Sequence, residues 1–269
     1  MKAYYYPFLL AVILIIPFNR AASQNEVPSK PQDRLLAAVS WYQNSAEMTA
    51  LYYQGFNIAH QRLGKAVKDN KKRKPLAVVV DIDETMLDNS PYESVLINQG
   101  DDRNGWKNWT DNAAAFPLPG ALEFAMYAKS KKVEIFYITN RDDEERKPTL
   151  RNLQSFGFPY ADESHLLTRG DTAYSNGNTS SKEGRRTKVV STHKIILLIG
   201  DNLNDFATVF EDRNVNNGKE AVALNREQFG KTFIILPNPM YGAWEKPVYD
   251  YRNGLSETEK AGLMRSKLK

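Results

Sequence analysis

Four short runs of apolar, largely β-branched residues limit what this chain can fold into. They are Leu76-Ala77-Val78-Val79-Val80, Val133-Glu134-Ile135-Phe136-Tyr137-Ile138, Ile195-Ile196-Leu197-Leu198-Ile199 and Thr232-Phe233-Ile234-Ile235-Leu236. None alternates apolar with polar residues, as a strand with one wet face would, so each reads as a strand covered on both faces. Helical spacing fills the intervals at about 120–131, 143–155, 203–212 and 219–229. In 120–131, for example, Leu122, Phe124, Ala125 and Ala128 make one apolar face, and lysines close the segment as suits a helix C-terminus. Strands alternating with helices predict an α/β fold with a Rossmann-like, doubly wound parallel sheet over 75–269.

Two stretches stand outside that alternation. From 34 to 70 there is no proline, and Leu35, Val39, Tyr42, Met48, Leu51, Tyr52, Phe56, Ala59, Leu63 and Val67 recur at helical spacing. One or two helices are expected there, with any break near Gly55 or Gly64. Segment 88–118 is polar, holds Trp106 and Trp109, and is expected to join the N-terminal helices in a smaller, mainly helical cap. Segment 169–186, rich in Gly, Ser, Asn and Thr, reads as a loop.

The chain starts like an export signal. Lys2 precedes an apolar run from Phe8 to Phe18, and Ala21-Ala22-Ser23 offers small residues for cleavage, giving a signal over 1–23. The run is shorter than the ~20 residues a membrane span needs. Residues 24–33, with Pro28 and Pro31, read as a linker. An exported chain, periplasmic or secreted, with no stable membrane anchor after cleavage is the expectation; a surface-associated or signal-anchored form is the alternative.

Composition removes several chemistries. The 269 residues include no cysteine, which excludes disulfides, thiolate metal sites, cysteine nucleophiles and a lipidated N-terminal cysteine. The three histidines, His60, His165 and His193, are scattered, which argues against a multi-histidine metal site and against a histidine nucleophile. Basic and acidic residues number 36 and 32 and are intermixed, so no nucleic-acid polymer is expected as a partner.

Three of the four runs end in polar groups. Val80 is followed by Asp81-Ile82-Asp83-Glu84-Thr85, Ile138 by Thr139-Asn140-Arg141, and Ile199 by Gly200-Asp201-Asn202-Leu203-Asn204-Asp205. Open parallel sheets bind ligands beyond the carboxyl ends of their strands, where strand order reverses. Singly, each segment could be a turn or a helix cap. Together they deliver Asp81, Asp83, Asp201 and Asp205 to one crevice, where mutual repulsion calls for a hard divalent cation such as Mg²⁺. Such a cation also screens a phosphoryl group from an attacking carboxylate.

The stretches Val79-Val80-Asp81-Ile82-Asp83-Glu84-Thr85-Met86-Leu87-Asp88-Asn89-Ser90-Pro91-Tyr92 and Ile196-Leu197-Leu198-Ile199-Gly200-Asp201-Asn202-Leu203-Asn204-Asp205-Phe206 resemble the two signatures of the class C bacterial acid phosphatases, in the haloacid dehalogenase (HAD) superfamily. Residues 41–54 and Leu236-Pro237-Asn238 with Tyr241-Gly242 and Trp244-Glu245 add to the likeness. The resemblance implies an HAD core and a phosphomonoesterase acting on nucleoside monophosphates and aryl phosphates. It implies Asp81 as nucleophile and Mg²⁺ ligand, Asp83 as acid and then base with its carbonyl on the metal, and Asp201 and Asp205 at the metal. Thr139 would hold a phosphoryl oxygen and Asn140 would touch substrate. Trp106 and Tyr241 would stack on the substrate ring. Lys182 is chosen to offset charge at Asp81, with Lys188 and Lys194 as alternatives. Several relatives are outer-membrane lipoproteins tethered through a cysteine that this chain lacks. A phosphotransferase on the same fold, and a silent binding or storage protein, are the rival readings; loss of Asp81 would mark the latter, and Asp81 is present. Oligomeric state, a homodimer included, is not legible.

Overall fold

The computed structural model describes residues 1, 35–71, 75–99, 105–171 and 180–269. The stretches read from sequence as an export signal and a linker lie, Met1 aside, outside the described residues. Among the described residues no helix is long and apolar enough to cross a membrane.

The four apolar runs form parallel strands β1 (Leu76–Val80), β4 (Glu134–Ile138), β6 (Lys194–Gly200) and β7 (Phe233–Ile235). A fifth, β5 (Leu166–Leu167), completes a sheet of order β5-β4-β1-β6-β7. The sequence reading missed β5 because two leucines are too short a run to register as a strand. From β1 the chain winds outward through β4 and β5, then returns to the other side for β6 and β7. Strand order therefore reverses between β1 and β6. Val80 lies level with Tyr137 on one side and Ile199 on the other. The polar segments that follow these strands thus leave the sheet at one height.

Both sheet faces are covered, which is why the runs do not alternate. Val78, Val80, Ile135, Tyr137, Leu197 and Ile199 pack with Tyr52, Phe56, Ala59 and Leu63 of α2 (Ala46–Asp69) and with Phe124, Ala125 and Ala128 of α5 (Ala121–Ser130). Ala77, Val79, Phe136, Ile138 and Leu198 face the other way, onto Val189 of α7 (Glu183–Thr192), Phe206 and Phe210.

The N-terminal helical stretch breaks at Ser45, not near either glycine. Helix α1 (Leu36–Asn44) ends there, and the Ser45 hydroxyl accepts from the Met48 N–H at 3.1 Å, starting α2 as an N-cap. Gly55 and Gly64 lie inside α2 and serve close packing. A Cβ on Gly55 would come within 2.6 Å of the Leu236 side chain, and one on Gly64 within 3.0 Å of the Tyr127 hydroxyl. The same α2 covers a sheet face, while α1 packs on α3 (Ser90–Gln99) of the cap segment. Helices α3 and α4 (Gly105–Asn112) and the antiparallel ribbon β2 (Leu87–Asp88) with β3 (Phe116–Pro117) build that segment.

Three more differences are local. Segment 203–212 forms two 3₁₀ turns, Leu203–Asp205 and Thr208–Phe210, because the side chains of Asn202 and Asp205 bond back to the backbone and tighten the chain. Segment 143–155 opens with a 3₁₀ turn before α6 (Arg146–Ser155), and 219–229 holds only α8 (Lys219–Leu224) before another. Helix α7 begins inside the stretch read as a loop, its charged and hydroxyl residues having hidden the periodicity.

Leu63→Ala is expected to lower the free energy of unfolding by about 2–5 kcal/mol, the range for a fully buried leucine. Met126→Ala, on the exposed side of α5, is expected to stay within about 0.5 kcal/mol. Urea denaturation of the two variants checks the pair.

Candidate active site

Asp81 follows β1 directly, its N–H donating to the Ile199 carbonyl at 3.0 Å, so the sheet itself aims it at the reversal point. Asp201 follows β6. One oxygen each from Asp81, Asp201 and Asp205 lies within 4.8 Å of the others. The Lys182 ammonium, immediately ahead of α7, donates to Asp81 Oδ1 and lies 2.6 Å from Asp205 Oδ1. Asp205 also accepts from the Asn202 N–H at 3.0 Å, and Asp201 from Asn238 Nδ2 at 2.8 Å. Gly200 makes the arrangement fit: a Cβ there would stand 2.6 Å from the Asp205 Cβ.

The electrostatics follow from burial. Loss of water pushes the Asp81 carboxyl up to about 7; Lys182 pulls the other way, while Asp205 and Asp83 add to the rise. Asp201 is raised well above the carboxylate range by burial and then by Asp205 and Asp81. For Lys182, burial opposes the charge, but Asp205 and Asp81 outweigh it and hold its pKa above the ordinary lysine value. Fully ionised, three carboxylates against one ammonium would carry two negative charges, the repulsion that holds Asp81 and Asp201 up, and the donors are all oxygens. That set fits a hard divalent cation.

The Asp83 carboxylate stands apart from the three. Arg141 grips it with a fork, Nη2 at 2.7 Å and Nε at 3.0 Å from Oδ1, and Asn89 Nδ2 donates to the same oxygen at 2.8 Å. The Thr139 hydroxyl reaches Oδ2 at 3.4 Å and accepts from the Arg141 N–H at 3.1 Å. The Arg141 guanidinium also lies 5.6 Å from the centroid of the Trp106 ring, so one cation braces both Asp83 and the cap. Asn140 faces the Lys182 loop, donating to the Ser180 carbonyl at 3.0 Å and accepting from Arg185 Nη2 at 2.7 Å. Arg185, fully buried, donates as well to the carbonyls of Thr139 and Ser181. Burial brings its pKa down to about 10.

Asp81, Asp83, Asn140, Lys182, Asp201, Asp205, Trp106 and Tyr241 all line one cavity of about 510 Å³ beyond the carboxyl ends of the strands. Thr139 lies beneath it, buried, touching Asp83. Lys194, one of the alternative lysines, begins β6 at the opposite end of the strand. The sequence reading assigned no role to Arg141, Arg185, Asn89 or Asn238. For Arg141 the signal was present, since it directly follows Thr139-Asn140. Asn89 stands six residues past the Asp83 it holds, within the first motif, whereas Asn238 and Arg185 lie far along the chain from the atoms they hold and only the fold reveals them.

Carboxylates delivered from two strands across a reversal point, with a lysine spanning them and an arginine-held aspartate two residues on, define a phosphatase of the HAD class. The sequence model described as HAD superfamily, subfamily IIIB (Acid phosphatase) matches residues 16–244. The class C acid phosphatase from Bacillus anthracis superposes with a TM-score of 0.82 at 40% identity, over 89% of this chain and 98% of that one. A structure of the class C acid phosphatase from Bacillus anthracis with tungstate bound gives 0.81 and 39%, over 88% and 98%. Acid phosphatase 1 of Solanum lycopersicum is 29% identical over 172 residues, 61% of this chain and 57% of its own length, so the chain spans little over half of that relative. The chain belongs to the HAD superfamily, subfamily IIIB, the acid phosphatases.

Gly200→Ala is expected to displace Asp205 from Lys182, lower stability by about 1–3 kcal/mol and impair activity. Gly262→Ala, where an added methyl meets nothing within 4 Å, is expected to be neutral or slightly stabilising. Thermal unfolding and phosphatase assays of both variants test this.

Proposed function

We propose that the protein hydrolyses phosphomonoesters, nucleoside monophosphates and aryl phosphates among them, through a phosphoryl group carried on Asp81. The observation that carries the reading is the Lys182 ammonium shared by Asp81 and Asp205 beside Asp201, at the sheet's carboxyl edge. Asp81, Asp201 and Asp205, with the Asp83 carbonyl that the family likeness implies, would hold Mg²⁺. When bound, the ion neutralises phosphoryl oxygens and lowers the repulsion between them and Asp81.

An Asp81 carboxylate oxygen attacks phosphorus, the phosphorus–oxygen bond to the leaving group breaks, and Asp83 gives that oxygen its proton. Oδ1 of Asp83 takes the short contacts from Arg141 and Asn89, while Oδ2 is met only at 3.3 Å by Arg141 Nε and at 3.4 Å by the Thr139 hydroxyl, so Oδ2 is the oxygen assigned the proton. Asp83, now a carboxylate, takes a proton from water; the hydroxyl oxygen bonds to phosphorus, the bond to Asp81 breaks, and phosphate leaves. Lys182 holds Asp81 in place; the Thr139 hydroxyl, which reaches Asp83 Oδ2, would have to turn from it to meet a phosphoryl oxygen, the role the family likeness implies.

Trp106 and Tyr241 on the walls of the same cavity support a preference for substrates with a planar ring, and stacking on a flat face tolerates many bases. The tungstate bound by the Bacillus anthracis relative is a tetrahedral oxyanion of phosphate-like shape, in keeping with phosphoryl binding. Export to the periplasm or medium is proposed from the N-terminal sequence alone.

With Mg²⁺ the protein is expected to release phosphate from p-nitrophenyl phosphate and from a nucleoside monophosphate, and to stop with chelator. Asp81→Asn should lose activity by at least about a thousandfold. Turnover that survives in Asp81→Asn would sink the reading. Asp83→Asn is expected to lower kcat/KM about a hundredfold more for the nucleoside monophosphate than for p-nitrophenyl phosphate, whose good leaving group needs little protonation. Equal losses would remove Asp83 from the acid role.

A further inference from the structure

Glu84 has no part in the reaction proposed above and does not line the cavity, yet its side chain is wholly buried beside it. Its backbone is left-handed, with φ 55°, a conformation that a residue with a Cβ adopts at a cost. Both backbone groups are engaged. The N–H donates to the Leu87 carbonyl at 3.0 Å, and the carbonyl accepts from the Tyr52 hydroxyl of α2 at 2.5 Å.

The side chain explains what that conformation achieves. Oε1 accepts from the Asn89 N–H at 2.7 Å. Oε2 accepts from the Tyr241 hydroxyl and, at 3.4 Å, from Asn89 Nδ2, the group that donates to Asp83 Oδ1 at 2.8 Å. One carboxylate therefore joins two parts of the site that are remote in sequence. Tyr241 belongs to the loop after β7, whose Asn238 also holds Asp201. Asn89 belongs to the entrance of the cap.

We propose that Glu84 is a positioning residue that fixes the ring of Tyr241 relative to Asp83, so that ring binding and leaving-group protonation are set by a single buried side chain. This rests on the reading of Tyr241 as a ring contact and of Asp83 as the acid. Ring-bearing substrates feel both ends of the link. Ring-free substrates feel only the Asp83 end.

The test measures kcat and KM on p-nitrophenyl phosphate and on glycerol 2-phosphate, a phosphomonoester without a ring. Tyr241→Phe keeps the ring but releases it from Glu84. It is expected to raise KM for p-nitrophenyl phosphate about fivefold, the worth of one ordinary hydrogen bond, while KM for glycerol 2-phosphate stays within about twofold. Glu84→Gln keeps one acceptor oxygen for the Asn89 N–H but turns an NH₂ toward Tyr241 and Asn89 Nδ2, so it weakens the link without emptying the site, and should fall between the native protein and Glu84→Ala. Glu84→Ala should also lower kcat on both substrates, since Asn89 loses its bonds to Glu84 and keeps only those from Trp109 Nε1 and Arg141 Nη2 on its Oδ1 to hold it against Asp83. The double variant Glu84→Gln with Tyr241→Phe should be no worse than the stronger single one, because both changes cut one link.

Equal KM increases for both substrates, additive effects in the double variant, or a lowered melting temperature with an unchanged KM ratio would each overturn the proposal. Where Glu84→Ala does not fold, Glu84→Gln and Tyr241→Phe decide. Tyr241→Ala separates the two levels of the argument. If it leaves KM for p-nitrophenyl phosphate unchanged, the ring-contact reading itself is wrong and the proposal falls with it. If it raises KM while Tyr241→Phe and Glu84→Gln do not, only the role of Glu84 is wrong.

Discussion

The ammonium of Lys182, held between Asp81 and Asp205, is the contact on which the rest of this site depends. Removing carboxylates from water is costly, and placing three within reach of one another adds repulsion to that cost. A single buried cation offsets part of both. The surrounding structure can be understood as what is needed to bring Lys182 there. Arg185 ties the strand end at Thr139 to the turn that carries Lys182, and Asn140 bonds to both Ser180 and Arg185. Gly200 leaves room for Asp205 on the far side.

A second cation, Arg141, organises the other half. It holds Asp83 by a fork, donates to Thr149 Oγ1 at 3.0 Å and lies over Trp106. A lysine could not do the same, because one ammonium cannot present a planar fork and a flat face at once. Opposed acids thus receive different partners: a compact charge for the clustered carboxylates, and a rigid, directional one for the aspartate proposed as the proton donor.

Much of this was legible in the sequence, for stated reasons. A strand buried on both faces must be a continuous apolar run, so β1, β4, β6 and β7 announced themselves, and the polar residues at their ends marked the crevice. The two-residue β5 carries too little pattern to be seen. Helix α7 was hidden because its buried side chains include Arg185 and Arg186, which periodicity arguments assign to solvent. Gly55 and Gly64 misled in the opposite direction. Glycine usually signals a break, but here its lack of a side chain lets α2 approach Leu236 and Tyr127. The cluster of Asp81, Asp201 and Asp205 could be anticipated from strand order. The supports Asn238 and Arg185 depend on which segments fold back over the site, and no local spacing encodes that; Asn89, six residues past Asp83, lay within local reach, but a lone asparagine carries no pattern of its own.

The position of β1 in the sheet has a consequence for how the chain comes together. Its neighbours are β4, some fifty residues later, and β6, more than a hundred residues later. Closing loops of that length is slow relative to forming local structure, so the central strand must wait for its partners. Until β6 arrives, one edge of Leu76–Val80 is bare, apolar and unpaired, the kind of segment that templates aggregation. A truncation that ends before residue 194 therefore removes more than Asp201. It leaves one edge of a wholly apolar strand without its partner, open to pairing with another chain.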